Sequence, residues 1–238
     1  MTRIEVQLLE QSEADVPASN HWLSANELLF VDGFRFEKRR ADWRQGRWTA
    51  KLALACHFSI PIEIESLANI EIRPAKSGAP EAFIFGKPAA ATISLSHRAG
   101  RAICVVAAPG VKLGCDLEAV EEHSAAFLAD YFTRTEQYLI SNRAKGEQSL
   151  ATALLWSAKE SALKALHEGL RLDTRAVSVS IEHGQLGDSL EWRPFQVHYE
   201  QNTIFHGWWL RQADLVRTVA ADPAPNAPIL LTQLFAAK

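Results

Sequence analysis

The sequence predicts an α+β fold made of two similar halves. Helix-like and strand-like periodicities come in blocks, helices followed by strands and then helices followed by strands again, rather than in strict βαβ alternation. The halves, residues 1–118 and 119–238, share this order of elements and are nearly equal in length, although no identity between them is evident along the chain. No low-complexity tract or flexible linker interrupts the chain, so the halves are expected to associate closely.

Residues 1–23 read as a strand followed by a loop. From about Ser24 to Phe58 the pattern is helical, with Trp43, Trp48, Leu52 and Ala55 near helical spacing. Residues 59–88 read as short strands and turns, broken by Pro61, Pro74, Gly78, Pro80 and Pro88. Strands follow at 91–97 and 101–108, and the short link between them predicts a hairpin. In 111–120, Val111, Leu113, Cys115 and Leu117 alternate with Lys112, Gly114, Asp116 and Glu118. That period of two predicts a strand with one buried face and one face carrying the carboxylates. Ser124–Asn142 reads as one helix. Ser149–Glu168 reads as a stronger one, with Gly169 in the position favoured just past a helix end. Strand-like runs occupy 175–183, 195–200, 203–212 and 215–222, and a Pro-rich, then apolar, tail follows.

Composition narrows the function classes. Of 238 residues, 47% are apolar and 22% charged, and the net charge is −3, so bulk nucleic-acid binding is not expected. No run reaches the ~18 apolar residues of a membrane helix. The acidic N-terminal stretch lacks the apolar centre of a signal peptide, so a cytoplasmic protein is expected. Cys56, Cys104 and Cys115 form no CxxC pair, which argues against zinc and disulfides and reads as small core residues. Charge is uneven: residues 35–47 carry six basic residues against two acidic, whereas 116–122 carry four acids and no base. One basic and one acidic locus suit an anion and a cation bound together, though charge runs are most often solvated faces.

The strand carrying Asp116 and Glu118 raises a specific problem. Residues two apart on a strand share a face, and two carboxylates there repel unless a positive charge intervenes. On the helix of residues 149–168, Leu150, Leu154, Ala158, Ala162 and Leu166 form an apolar stripe. Glu160 and Lys164 share a different face, which by itself reads as a surface salt bridge of about 0.3–0.5 kcal/mol. Trp156 reads as a core or boundary aromatic, and His97, at a strand end before Arg98, as structural. Together, Asp116, Glu118 and Glu160 would offer three oxygen ligands to a hard divalent ion, with Lys164 and His97 near its phosphate partner.

The ordered set of Ile93–His97 (ISLSH), Gly114–Glu118 (GCDLE) and Trp156–Lys164 (WSAKESALK) resembles the 4′-phosphopantetheinyl transferases, and within them the long, surfactin-synthetase-type class. Phe132–Gln137 (FTRTEQ) and Ser77–Pro80 (SGAP) resemble that family's intervening stretches. The resemblance runs from roughly Arg39 to Val179.

It implies two α+β halves around a central cleft and Mg²⁺-dependent transfer of phosphopantetheine from coenzyme A to a serine of an acyl or peptidyl carrier protein. Asp116, Glu118 and Glu160 would hold Mg²⁺ or Mn²⁺. Glu160 would also activate the serine, Lys164 would meet the pyrophosphate, and Ser96 and His97 would contact a phosphate. Arg39, Arg40 and Arg47 are the candidates for the nucleotide end, Arg40 and Arg47 being the better placed. Arg98 and Ala79 depart from the family pattern, which often has Ser and Lys there. Cys115 should face the core. The implied partner is acidic and helical, with the helix 124–142, Arg134 and Arg143 as candidate docking elements, and a monomer is expected. A Mg²⁺-dependent phosphohydrolase acting on coenzyme A or another nucleotide, or a non-catalytic coenzyme A or carrier-protein binder, stays open as an alternative.

Overall fold

The computed structural model describes residues 3–181, 186–187, 191–200 and 203–231. The end of the predicted run 175–183 and most of the apolar tail lie outside these. The fold is α+β, and the chain divides into two compact units: Glu5–Gly110 with Ile229–Lys238, and Met1–Ile4 with Val111–Pro228.

In the N-terminal unit, β1 (Val6–Ser12) leads through α1 (Ala25–Val31) and α2 (Glu37–His57) to α3 (Ile64–Ala68). β2 (Ile70–Pro74), β3 (Pro80–Ile84) and β4 (Lys87–Pro88) form a small antiparallel sheet. β5 (Thr92–Arg98) and β6 (Arg101–Ala107) are the expected hairpin. Its two linking residues, Ala99 and Gly100, have φ of 51° and 71°, as a tight two-residue hairpin turn requires. The main sheet has the order β12-β1-β6-β5, β12 (Ile229–Leu230) joining parallel to β1. Leu52, Ala53, Leu54 and Ala55 of α2 pack into its core with Leu9, Ile93 and Cys104. The helical stretch 24–58 is thus two helices, parted by a turn in which the Gly33 amide donates to the Phe30 carbonyl. The short α3 was not foreseen among the strands of 59–88.

In the C-terminal unit, β7 (Lys112–Ala119) is the edge of a five-stranded antiparallel sheet. The order is β7-β11-β10-β9-β8, with β8 Val177–Ile181, β9 Arg193–Tyr199, β10 Thr203–Gln212 and β11 Leu215–Asp222. One long helix, α6 (Lys145–Ala165), lies on it, buried along nearly its whole length. The region 124–142 is two helices, α4 (Ala125–Tyr131) and α5 (Arg134–Ser141), because Thr133 starts a new one. Its hydroxyl accepts from the Glu136 amide, and Glu136 accepts in return from the Thr133 amide. The left-handed residue just beyond α6 is His167, φ 59°, two residues before the expected Gly169.

The structure also corrects the impression that the halves share no sequence. Residues 47–57, RWTAKLALACH, and 155–165, LWSAKESALKA, occupy the same place in α2 and α6. Lys51 and Lys159 are both fully buried. Lys51 pairs at 2.6 Å with Glu27, and Lys159 at 2.9 Å with Glu136. Each glutamate sits in the first turn of a short helix in a capping box, begun by Ser24 or Thr133. Each also accepts from the amide of a following strand, Ile72 or Val179. Each lysine donates to two carbonyls as well, so both buried charges are paired and hydrogen-bonded. At Glu160 and Lys164 the repeat diverges, since Leu52 and Cys56 stand there in the N-terminal half.

Candidate active site

Of the two acids of β7, Asp116 does not face solvent and Glu118 is partly exposed. Asp116 is only 4% exposed and Gly114 is buried, so the strand is covered on both faces. α6 covers the carboxylate-bearing one. A Cβ on Gly114 would fall 1.8 Å from the Ser161 carbonyl oxygen and 2.8 Å from the Ala165 amide nitrogen, so only glycine lets the helix backbone lie this low. Hydroxyl contacts fix the helix along its axis. Thr218 of β11, the register partner of Asp116, meets the Ser157 hydroxyl at 2.8 Å and the Ser161 hydroxyl at 2.6 Å, and it donates to the Ser157 carbonyl at 2.9 Å.

That close approach brings two elements to one locus. The Lys164 ammonium donates to Asp116 Oδ1 at 2.7 Å and to the Cys115 carbonyl at 3.0 Å. The reading of Glu160 and Lys164 as a surface pair on one helix therefore gives way to a cross-element pair. Burial works against the charge of Lys164, but Asp116, and behind it Glu160, hold the ammonium above the ordinary lysine range. Burial, then repulsion from Asp116 and Glu118, pushes the Glu160 carboxyl up to about 7, against the pull of Lys164. Glu160 Oε1 is buried and makes no hydrogen bond, a state that costs roughly 1–3 kcal/mol unless a proton or cation relieves it. Among the described residues no three His, Cys, Asp or Glu side chains are already gathered closely enough to cage an ion. Cys115 is fully buried, as expected of a core residue. Trp156 is a boundary aromatic, edge-on to Phe127 and Tyr131 at 5.2 Å.

Four other candidates meet in the N-terminal unit. A cavity of about 420 Å³ is lined by Arg39, Arg47, Ser96 and His97, with Phe34, Trp43 and Leu95 as its apolar wall. Arg40 is not part of that lining; its guanidinium donates to the Phe34 carbonyl at 2.9 Å. The Arg47 guanidinium lies 4.8 Å over the Trp43 ring. Its Nε is buried without a hydrogen bond, the nearest Glu27 oxygen being 3.9 Å away. Burial pulls the Arg47 pKa below its ordinary value despite Glu27. Trp43 and Phe34 were not singled out from sequence as site residues, because an aromatic at helical spacing reads first as core. A second cavity, about 450 Å³, lies in the C-terminal unit against Ser180, Gln196, His206 and Trp208, and holds none of the predicted residues.

The family model described as the 4′-phosphopantetheinyl transferase superfamily matches residues 112–220, the segment that carries β7, α6 and β11. The match covers 109 of the 238 residues, so it is this segment that is similar to the superfamily. No curated protein sequence matches the chain. Solved structures with some likeness include holo-[acyl-carrier-protein] synthase of Helicobacter pylori in complex with coenzyme A. It is 21% identical over 43% of this chain and 98% of that one, with a TM-score of 0.34. The holo-(acyl-carrier-protein) synthase of Bacillus anthracis is 20% identical over 44% and 95%, TM-score 0.36. That of Thermotoga maritima is 20% identical over 56% and 76%, TM-score 0.37.

Proposed function

We propose that this protein moves the 4′-phosphopantetheine group of coenzyme A onto a serine hydroxyl of an acyl or peptidyl carrier protein, releasing adenosine 3′,5′-bisphosphate. One observation carries the reading. Within the matched segment, Asp116 on β7 and Lys164 on α6 pair at 2.7 Å, with Glu160, one turn before Lys164, half-buried and raised to about 7. Asp116, Glu118 and Glu160 suit Mg²⁺ or Mn²⁺. They are three oxygen donors against one ammonium, a formal −2, and Glu160 Oε1 lacks a partner. When bound, such an ion would neutralise pyrophosphate oxygens and orient the reacting groups.

The chain's own residues do the rest. The serine oxygen bonds to the β-phosphorus of coenzyme A, and the bond from that phosphorus to the bridging pyrophosphate oxygen breaks. Its electron pair departs with adenosine 3′,5′-bisphosphate. Glu160, poised near neutrality, takes the serine proton. The Lys164 ammonium meets the charge growing on the leaving group. In the N-terminal unit, Arg39, Arg47, Ser96 and His97 contact phosphate at the nucleotide end, and the free Nε donor of Arg47 supports this role. A cytoplasmic monomer is the working state of this reading.

Mass spectrometry of several apo carriers incubated with the protein, coenzyme A and Mg²⁺ tests it. The expected result is one phosphopantetheine added to a serine. Breakdown of coenzyme A without any carrier would replace transfer by hydrolysis. Tight coenzyme A binding with no turnover would leave only a binder.

A further inference from the structure

The cavity of about 450 Å³ in the C-terminal unit takes no part in the transfer reading. Its volume falls in the range that holds a small organic molecule, ~300–1,000 Å³. Its floor is the sheet face turned away from α6. Phe195, Val197, Phe205 and Trp209 of β9 and β10 are buried with α6 in one core. Side chains alternate along a strand, so Pro194, Gln196, His206 and Trp208 belong to the opposite face.

Register sorts that face into two rows. Ser180, Gln196 and His206 stand side by side across β8, β9 and β10. One step along, Pro194 lies opposite Trp208. A polar row therefore adjoins an apolar one. Arg3, Ala224 and Pro225 complete the lining, and they are tied together. Ile4 pairs parallel with Pro225, its amide donating to the Ala224 carbonyl at 3.1 Å and its carbonyl accepting from the Asn226 amide at 2.9 Å. The Trp208 indole donates to the Pro225 carbonyl at 3.0 Å, so its ring is held before any ligand arrives.

The polar groups here are donors. Arg3 brings a guanidinium, Gln196 an amide, His206 an imidazole, and Ser180 a hydroxyl that also meets the His198 ring at 3.3 Å. Among the described residues no aspartate or glutamate lines the cavity. A guanidinium grips a carboxylate or phosphate through two parallel hydrogen bonds, and an indole face takes a flat ring.

We propose that this cavity is a small-molecule site separate from the transfer chemistry, for a flat apolar molecule bearing one carboxylate or phosphate group. The ring lies over Trp208 and Pro194, and the anion meets Arg3, Gln196 and His206. The sheet stands between this site and α6, so the test needs no turnover.

Calorimetry on the whole chain uses 2-naphthoate, 2-naphthyl phosphate and the neutral 2-naphthalenemethanol. At least one of the two acids should bind one-to-one with a Kd of about 1 mM or tighter, and the alcohol roughly tenfold more weakly. Binding of the carboxylate alone, or of the phosphate alone, assigns the anion. Gln196→Glu puts a carboxylate into the polar row, and Arg3→Gln removes the guanidinium. Both positions are exposed, so melting should match the wild type. Each substitution should weaken the acids by roughly tenfold and leave the alcohol within about twofold. Saturating coenzyme A should leave the affinity for the acids unchanged.

No saturable binding of either acid overturns the proposal. Equal affinity for alcohol and acids overturns it too, since the cavity would then be only an apolar groove. So does displacement of the acids by coenzyme A, or acid binding that Arg47→Gln abolishes and Gln196→Glu leaves intact, because the probe would then sit in the cavity of the N-terminal unit.

Discussion

Replacing Gly114 by alanine adds a single methyl group, yet it should disable the site. The new Cβ would lie 1.8 Å from the Ser161 carbonyl oxygen, whereas ordinary contact begins at about 3.4 Å, so α6 must lift by roughly 1.6 Å. The obstructing atom is helix backbone, so no change of rotamer relieves it. Glu160 and Lys164 ride on the same helical turns as Ser161, and their geometry against Asp116 would open by a comparable distance. Displacement of about 1 Å in a reacting constellation costs on the order of 100-fold in rate. Overpacking of this kind typically costs about 1–3 kcal/mol, a fall of roughly 4–8 °C in melting temperature for a chain of this size if about 2 kcal/mol is lost. Carrier loading followed by mass spectrometry gives the rate, and scanning fluorimetry gives the melting point. A Gly114→Ala protein with wild-type kcat and wild-type melting would refute the reasoning, because the approach of α6 to β7 would then not set the site.

Four further outcomes are expected. Asp116→Ala should cut transfer at least 100-fold while melting stays within a few degrees, since Lys164 keeps the Cys115 carbonyl; carrier labelling at the wild-type rate in Mg²⁺ would count against the assignment. Mg²⁺ at about 100 times its dissociation constant should stabilise the wild-type protein by about 2.7 kcal/mol in the absence of any substrate, and the Asp116→Ala protein by far less, as read by melting with and without chelator. Lys159→Met should cost about 3–5 kcal/mol, because Glu136 would be left as a buried carboxylate facing only neutral donors; urea unfolding measures it. Burial pulls the His57 pKa below its ordinary value near 6.5, so the unfolded chain binds the proton more readily, and stability should fall as pH drops through and below 6.5. A His57→Gln protein should lack that part of the pH dependence in melting curves taken from pH 7.5 to 5.

The candidate site was legible as a set of residues and illegible as a set of partners. Asp116, Glu118, Glu160 and Lys164 stand out in sequence because charged groups interrupt otherwise apolar, periodic stretches. Sequence spacing paired Glu160 with Lys164, because only neighbours on one helix are visible along the chain. The true partner of Lys164 is 48 residues away. The same limit hid the repeat: Trp48–Lys51 and Trp156–Lys159 match in only a few positions, and their common role appears only when both lysines are seen buried against a capping glutamate.

The sequence by itself determined the α+β class, the β5–β6 hairpin, the strand bearing Asp116 and the helix bearing Glu160, because each follows from local periodicity and turn chemistry. Only the tertiary structure decided that Asp116 of β7 is covered, that the Oε1 atom of Glu160 is buried and short of a hydrogen bond, and that Arg39 and Arg47 share a cavity with His97 where Arg40 does not. Burial and electrostatic coupling depend on how closely elements remote in the chain approach each other, and here that distance is set by the missing side chain of Gly114 and the hydroxyl of Thr218.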